Sequence, residues 1–182
     1  MKKKILKFIL NFLAILFIGI ILSHVIKTYI CSAQIVEGQS METTLYDGNR
    51  VLLNRMAYRS ADNVKRFDII VARVPEEGED SYIIKRVIGL PGETVQILPK
   101  QGAVRINDEI LREDNFFVDP ISDPGLAEKP IVLGDNEFFV MGDNRNNSID
   151  SRDPSIGNIP YSNIRGRVVH PALPIMKFFG FD

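Results

Sequence analysis

A serine and a lysine are the residues of this sequence that are best suited to nucleophilic chemistry. Ser40 lies in the turn-like segment Val36–Leu45, where its hydroxyl can attack a carbonyl only if a nearby base accepts the proton. The two histidines are poorly placed for that task, because His24 borders a long apolar run and His170 precedes a proline near the C-terminus. A Ser-His-Asp triad is therefore disfavoured, and a lysine is the remaining candidate for the base.

Lys85 is the lysine that we select, because it lies in the short, apolar and β-branched segment Tyr82–Ile88, which is typical of a strand. Alternation places Ile83 and Val87 on its face of the strand. Apolar surroundings disfavour the charged ammonium, so the pKa is expected to fall from about 10.4, and a neutral amine can act as a base near neutral pH. The alternative is that Lys85 extends its ammonium to water and that Ser40 is an ordinary turn residue.

A third polar segment, Gly142–Arg152, follows the apolar run Phe138–Met141. It opens with residue types that favour tight turns and side-chain hydrogen bonds to their own backbone. Considered alone, it predicts a hydrogen-bonded surface loop with ion pairs among its charged residues, which are Asp143, Arg145, Asp150 and Arg152.

These segments together resemble the signature motifs of the type I signal peptidases, in the order in which that family has them. The matching segments are Val36–Met41, Tyr82–Glu93 and Phe139–Arg152, and Asp47–Asn54 resembles the strand after the nucleophile. The resemblance covers nearly the whole chain. It departs from the family at Thr43, where the family usually has proline.

The resemblance implies a serine endopeptidase with a Ser40/Lys85 catalytic dyad that removes signal peptides from secretory preproteins. It implies supporting roles for six residues, which are Gly38, Met41, Arg86, Ser148, Asp150 and Arg152. In that scheme Ser148 hydrogen-bonds the lysine amine and orients it, and Asp150 and Arg152 form an ion pair beneath the site. Asp143, Asn144 and Arg145 have structural roles.

The oxyanion of a tetrahedral intermediate needs at least two hydrogen-bond donors. The backbone N–H of Ser40 is the natural first donor. Some family members place a serine two residues before the nucleophile, but this chain has Gly38 there. As the glycine-containing members imply, the second donor then comes from backbone near Gly38 or from water. The glycine also permits close approach of a substrate carbonyl, although a glycine needed only for its turn explains the residue equally well.

Two other classes of protein remain open at this point. A homologue that has lost hydrolysis and acts as an assembly factor for surface structures is suggested by Thr43, although Ser40 and Lys85 are both present. A different Ser/Lys protease, such as a self-cleaving repressor, shares the chemistry. Such a repressor has a DNA-binding domain or a self-cleavage segment where this chain has an apolar N-terminal segment.

Composition limits the remaining possibilities. The 182 residues are 45% hydrophobic and 25% charged with a net charge of -1, which suits one domain with an appendage and disfavours a nucleic-acid partner. Cys31 is the only cysteine, so an internal disulfide is excluded. No His, Cys and Asp residues have the spacing of metal ligands. We therefore expect no metal, no organic cofactor and a monomer.

The N-terminus predicts a membrane anchor. Residues 1–7 are basic and residues 8–26 are almost entirely apolar, and a helix of that length spans about 28 Å, close to the roughly 30 Å of a bilayer core. The lysines favour a cytoplasmic N-terminus, which places residues 27–182 outside the cell membrane as a single-pass protein. The alternative is a cleavable secretory signal, because Cys31–Ala33 loosely imitates a cleavage site.

The rest of the chain predicts a mainly β, antiparallel barrel-like or sandwich-like catalytic domain. We expect its core in 34–94 and 135–182, with a smaller inserted β region at about 95–134 assigned by analogy with the family. The predicted strands are Arg50–Asn54, Asp68–Val74, Ser81–Gly89, Thr94–Leu98, Ala103–Ile106, Phe138–Met141 and Ile164–His170. We also expect a solvated acidic loop at Pro75–Asp80, a hairpin at Val104–Leu111, and a C-terminal tail, Pro171–Phe181, packed on the core.

Overall fold

The computed structural model describes residues 2–76, 79–113 and 119–169. Helix α1 spans Lys2–Val25 and continues as a π-helical turn over Ile26–Ile30. Within those ranges, Lys3–Ile30 is the one helical stretch long and apolar enough to cross a membrane, and an 18-residue window of it has a mean hydropathy of 2.7. Its apolar side chains are exposed all round, which is the pattern of a helix that faces lipid rather than a protein core. The helix contains the predicted span 8–26 and extends beyond both of its ends.

Eleven strands are present in the described residues, and nearly all are short. Their bounds are Cys31–Ile35 (β1), Arg50–Asn54 (β2), Ile69–Glu76 (β3), Glu79–Gly89 (β4), Thr94–Leu98 (β5), Ala103–Ile106 (β6), Glu109–Ile110 (β7), Ile131–Val132 (β8), Glu137–Met141 (β9), Ile159–Pro160 (β10) and Ile164–Val169 (β11). Short 3-10 helices occupy Ala61–Asn63, Gly125–Glu128 and Tyr161–Asn163.

The strands form two sheets in which every strand pair is antiparallel. The larger sheet has the order β1-β2-β11-β3-β4-β9-β10, and the smaller has the order β7-β6-β5-β8. This confirms the mainly β, antiparallel fold with one N-terminal apolar helix. The central position of β4 matters for function, because it carries the candidate base between β3 and β9.

Alternating apolar residues explain why these segments pack as they do. In β5, Val95 and Ile97 are fully buried while their neighbours are partly exposed, and they pack with Phe139 and Met141 of β9 between the two sheets. A second cluster packs the turn that contains Ser40 onto β2 and β3. The turn is therefore held by the same core that holds the large sheet.

Strand β1 is the main element that the sequence does not predict. Cys31 begins this strand, and Ser32 faces Leu53 across the ladder with β2. The sequence Cys31–Ile35 does alternate apolar and polar residues, but the faces are the reverse of what residue type predicts, because Ser32 is buried while Ala33 and Ile35 are exposed. Pairing with β2 supplies the hydrogen bonds, and the helix passes directly into the sheet: the Arg55 N–H donates to Ile30 O at 2.9 Å.

The acidic loop predicted at Pro75–Asp80 is a hairpin whose strands run further than expected. The register of β3 and β4 continues to the pair Glu76 and Glu79, because ladder hydrogen bonds extend a strand wherever the partner backbone is in reach. The predicted hairpin at Val104–Leu111 is confirmed as β6 and β7. His170 and the tail 171–181 lie outside the described residues.

Candidate active site

The turn that contains Ser40 is fixed by buried apolar residues on both sides of it. Val36, Met41 and Leu45 are almost completely buried, and Met41 O accepts hydrogen bonds from the N–H groups of Thr44 at 2.9 Å and Leu45 at 2.8 Å. Met41, a predicted supporting residue, therefore ties the turn to the core both through its side chain and through its backbone. Ser40 itself remains partly exposed.

Gly38 has a backbone conformation that other residues seldom adopt, with φ +83. Its N–H donates to Asp47 Oδ1 at 2.8 Å, and the Asp47 segment is tied back to the turn because Gly48 N–H donates to Val36 O at 2.9 Å. The N–H of Gly38 is thus engaged with a carboxylate. It does not supply a second oxyanion donor in this arrangement.

Lys85 and Ser40 come together although 45 residues separate them: Lys85 Nζ donates to Ser40 Oγ at 2.7 Å. Lys85 faces Ile70 across the ladder of β3 and β4 and is only 5% exposed. Burial lowers the pKa of Lys85 from 10.5 to about 8, Asp150 and Asp143 oppose that shift, and Arg152 adds to it. The amine can therefore be neutral at a mildly alkaline pH, as a general base requires.

The segment after β9 supplies a buried ion pair beneath the dyad. Arg152 Nε lies 2.8 Å from Asp150 Oδ1, and the Asp150 side chain is fully buried. Asp150 Oδ2 accepts hydrogen bonds from Ser148 Oγ at 2.8 Å and from the Gly142 N–H at 3.0 Å. The resemblance implies a hydrogen bond between Lys85 and Ser148. Among the described residues, Ser148 instead donates to Asp150, and Lys85 donates to Ser40.

Arg86 joins three parts of the site. Its guanidinium binds Asp143 in a bidentate pair, with Nε to Oδ1 at 2.7 Å and Nη2 to Oδ2 at 2.6 Å. The same Nη2 donates to Thr44 Oγ1 at 3.2 Å, and Nη1 donates to Phe67 O at 2.8 Å. Asp143, which the resemblance assigns a structural role, therefore fixes the position of Arg86, the residue that follows Lys85 in β4.

Sequence reasoning missed how closely two polar residues contact the turn of the nucleophile. Asp47 binds the Gly38 N–H, and Asn144 donates to backbone carbonyls at Gln39 and Ser40. Side-chain amides and carboxylates that bind the backbone are usual in such turns. Residue type was the only feature of the sequence that pointed to these contacts, because Asp47 and Asn144 are distant in sequence from the backbone groups that they bind.

A cavity of about 270 Å³ adjoins the dyad. Apolar side chains from β3, β4 and the end of β1 contribute to its wall, and these include Ile35, Val71 and Ile84. Polar side chains complete the wall, and these include Gln34, Glu37 and Tyr82. Across 2–76, 79–113 and 119–169, His, Cys, Asp and Glu side chains form no group of three or more that could hold a metal ion.

Gly142 lies so close to the dyad that a side chain there is expected to disrupt it. An added Cβ would overlap Ser148 Oγ and Ser40 O. Gly142→Ala is therefore expected to lower peptide cleavage at least about 10-fold and to destabilise the fold by roughly 1–3 kcal/mol. Cleavage assays and thermal unfolding measure the two effects.

Gly134→Ala is the matched control, because an added Cβ there meets only a flexible glutamate side chain at 3.3 Å. We expect this control to change neither quantity measurably. Normal cleavage by Gly142→Ala would contradict the close packing of Gly142 against the Ser40 turn.

Known proteins are similar to this chain over most of its length. The family described as signal peptidase, peptidase S26, matches residues 9–173. Signal peptidase I of Bacillus amyloliquefaciens is 32% identical over 163 residues, covering 80% of this chain and 78% of the relative. Signal peptidase I P of Bacillus subtilis subsp. natto is 35% identical over 150 residues, covering 80% and 79%. A solved signal peptidase I from Enterococcus faecalis has 28% identity and a TM-score of 0.43, covering 58% of this chain and 97% of that one. Because the family match spans most of the chain and the two Bacillus relatives are 32% and 35% identical over 80% of it, the chain belongs to the signal peptidase family, peptidase S26.

Proposed function

We propose that this chain is a signal peptidase I, a membrane-anchored serine endopeptidase that removes N-terminal signal peptides from secretory preproteins. One observation carries the proposal: Lys85 Nζ lies 2.7 Å from Ser40 Oγ, and burial lowers the pKa of this lysine to about 8. Membership of the family supplies the substrate class. The short distance argues against an assembly factor without hydrolytic activity, since such a protein has no need of a base next to the serine.

Each step of the reaction uses these two side chains. Ser40 Oγ attacks the scissile carbonyl carbon, and its proton passes to the neutral amine of Lys85. The tetrahedral intermediate then loses its C–N bond, and the lysine ammonium gives its proton to the leaving amine. Lys85 next accepts a proton from water, which attacks the acyl-enzyme. Cleavage of that ester and return of the proton to Ser40 Oγ restore the enzyme.

The supporting residues act on the dyad from beneath. Asp150 is held by Arg152 at 2.8 Å and accepts a hydrogen bond from the Ser148 hydroxyl, and its negative charge near Lys85 stabilises the ammonium that forms during attack. Arg86 and its carboxylate partner keep β4 attached to the nucleophile's turn. We assign these residues, together with Gly38 and Met41, to positioning and electrostatic support.

Membrane attachment fits the proposed substrate. We place residues 1–7 in the cytoplasm, 8–26 in the bilayer and 27–182 outside, as a single-pass monomer. The π-helical turn ends at Ile30 and only Cys31–Gln39 separate it from Ser40, which at about 3.3 Å per residue is at most about 30 Å. The nucleophile therefore stays close to the membrane surface, where the cleavage site of a membrane-inserted signal peptide emerges.

The test is cleavage of a detergent-solubilised preprotein by the full chain, with sequencing of the new N-terminus. We expect the wild type to cut at the signal junction, after a small residue, and Ser40→Ala to lose at least about 10³-fold in rate. Ser162→Ala, a change at an exposed serine, is the matched control and keeps full activity. If the folded wild type cuts none of several preproteins, the proposed function is wrong.

A further inference from the structure

Asn144 contacts the backbone on both sides of the Ser40 α-carbon. Its side-chain Nδ2 donates to Gln39 O at 3.1 Å, and its backbone N–H donates to Ser40 O at 3.1 Å. Asn144 and Gln39, which the side-chain contact joins, are 105 residues apart in the sequence. One residue of the segment after β9 therefore holds both carbonyl groups that flank the nucleophile.

The side-chain contact determines which way the Ser40 N–H points. The cis peptide bonds of this backbone do not include Gln39–Ser40, so the C=O of Gln39 and the N–H of Ser40 point in opposite directions. With the carbonyl oxygen held by Asn144 Nδ2, and also by the Glu42 N–H at 3.2 Å, the N–H is directed away from Asn144. No acceptor among the described atoms takes this N–H, which leaves it available to a bound substrate.

Such a restraint is needed at this position. A flip of the Gln39–Ser40 peptide needs only opposite changes in ψ of Gln39 and φ of Ser40, and Gln39 is exposed while Ser40 is partly exposed. If the Gln39–Ser40 peptide flipped, a carbonyl oxygen would replace the N–H beside the reacting carbonyl. A preorganised donor stabilises the oxyanion, whereas a carbonyl oxygen at the same place would repel it.

We propose that the side-chain amide of Asn144 is a positioning residue, which holds the Gln39–Ser40 peptide so that the Ser40 N–H faces the oxyanion of the tetrahedral intermediate. The inference rests on the proposed function, because it assumes attack by Ser40 on a peptide carbonyl. It assigns Asn144 a role in the transition state rather than in folding alone.

The first test measures kcat and KM separately for variants that differ in one donor. Asn144→Asp keeps the shape of the side chain but replaces the donor with an acceptor, and Asn144→Ala removes the amide. Both retain the backbone hydrogen bond to Ser40 O. We expect kcat to fall about 10- to 100-fold, below the 10²- to 10³-fold typical of losing an oxyanion donor outright, while KM stays within about threefold.

Asn147→Ala is the matched control, because the amide of Asn147 reaches only the side-chain Oε1 of Gln39, at 3.5 Å. We expect its kcat to stay within about twofold of the wild type. Asn144→Ala should keep the wild-type thermal midpoint and the wild-type pH dependence, since it neither touches Lys85 nor changes the charge around it. Unchanged kcat in Asn144→Asp, an equal fall in Asn147→Ala, or a fall in kcat that tracks a loss of thermal stability would overturn the inference.

Binding of a peptide boronic acid provides a measurement that does not depend on preprotein cleavage. Ser40 Oγ donates an electron pair to boron while its proton passes to the amine of Lys85, and the boron becomes tetrahedral, so one of its oxygens takes the place of the oxyanion. Boron NMR titration should show about 10-fold or more weaker binding to both Asn144 variants than to the wild type and Asn147→Ala. If this contrast holds but no preprotein is cut, the proposed function fails and the role of Asn144 stands. If the wild type binds no boronate, or all four proteins bind it equally, the role of Asn144 is refuted.

Discussion

Lys85→Arg is expected to abolish cleavage of preprotein at every pH between about 6 and about 10, with a loss of at least about 10³-fold. Burial lowers the pKa of Lys85 to about 8, so a useful fraction of the amine is neutral near physiological pH. A guanidinium has a pKa above about 12 and stays charged in proteins. Arginine at this position would therefore keep the positive charge and the hydrogen-bonding capacity but provide no base.

The wild type should show the corresponding pH dependence. The active form is the neutral amine, so kcat/KM should rise about tenfold per pH unit up to about pH 8 and level off above it. Lys129→Arg, at an exposed lysine, is the matched control and should reproduce the wild-type profile. A flat profile between about pH 6 and 8, or substantial cleavage by folded Lys85→Arg, would show that Lys85 is not the base.

The second large effect concerns stability. Asp143→Ala should destabilise the fold by roughly 3–5 kcal/mol, the usual cost of removing one partner of a buried ion pair. Asp143 is fully buried, its bidentate partner Arg86 is 8% exposed, and the Arg86 guanidinium would stay buried without its carboxylate. For a domain of this size we expect the thermal midpoint to fall by about 10 °C.

Arg167→Gln is the comparison for an exposed pair. Arg167 lies 3.7 Å from Asp68 and is 45% exposed, so its loss should cost no more than about 1 kcal/mol. Urea and thermal unfolding of the full chain in the same detergent measure both variants. If the two variants lowered the free energy of unfolding by similar amounts, burial would not make the Arg86–Asp143 pair more stabilising than the exposed pair.

Local sequence pattern was sufficient for much of the fold. Strands β2, β5 and β6 have the predicted bounds, β9 begins one residue earlier than predicted, and β11 begins at the predicted residue. Strands β2, β5 and β6 alternate between buried and more exposed positions, as β2 does with Val51 and Leu53, and β9 is a short apolar run that is buried from Phe138 to Met141, so burial can be read from residue type. Strand β1 was missed although its residues alternate, because Ser32 is buried there while Ala33 and Ile35 are exposed, so its burial cannot be read from residue type.

The sequence by itself determined the elements and the reactive residue types: an apolar helix, short alternating strands, a serine in a turn without a suitable histidine, and a lysine in an apolar strand. Those properties depend on near neighbours in the chain, which is why pattern reveals them. Only the tertiary structure decided the distance from Ser40 to Lys85, the pairing of Arg86 with Asp143 and the contact of Asn144 with Gln39. These contacts join residues 45, 57 and 105 positions apart, and they form only when the packed core brings the turn, β4 and the segment after β9 together.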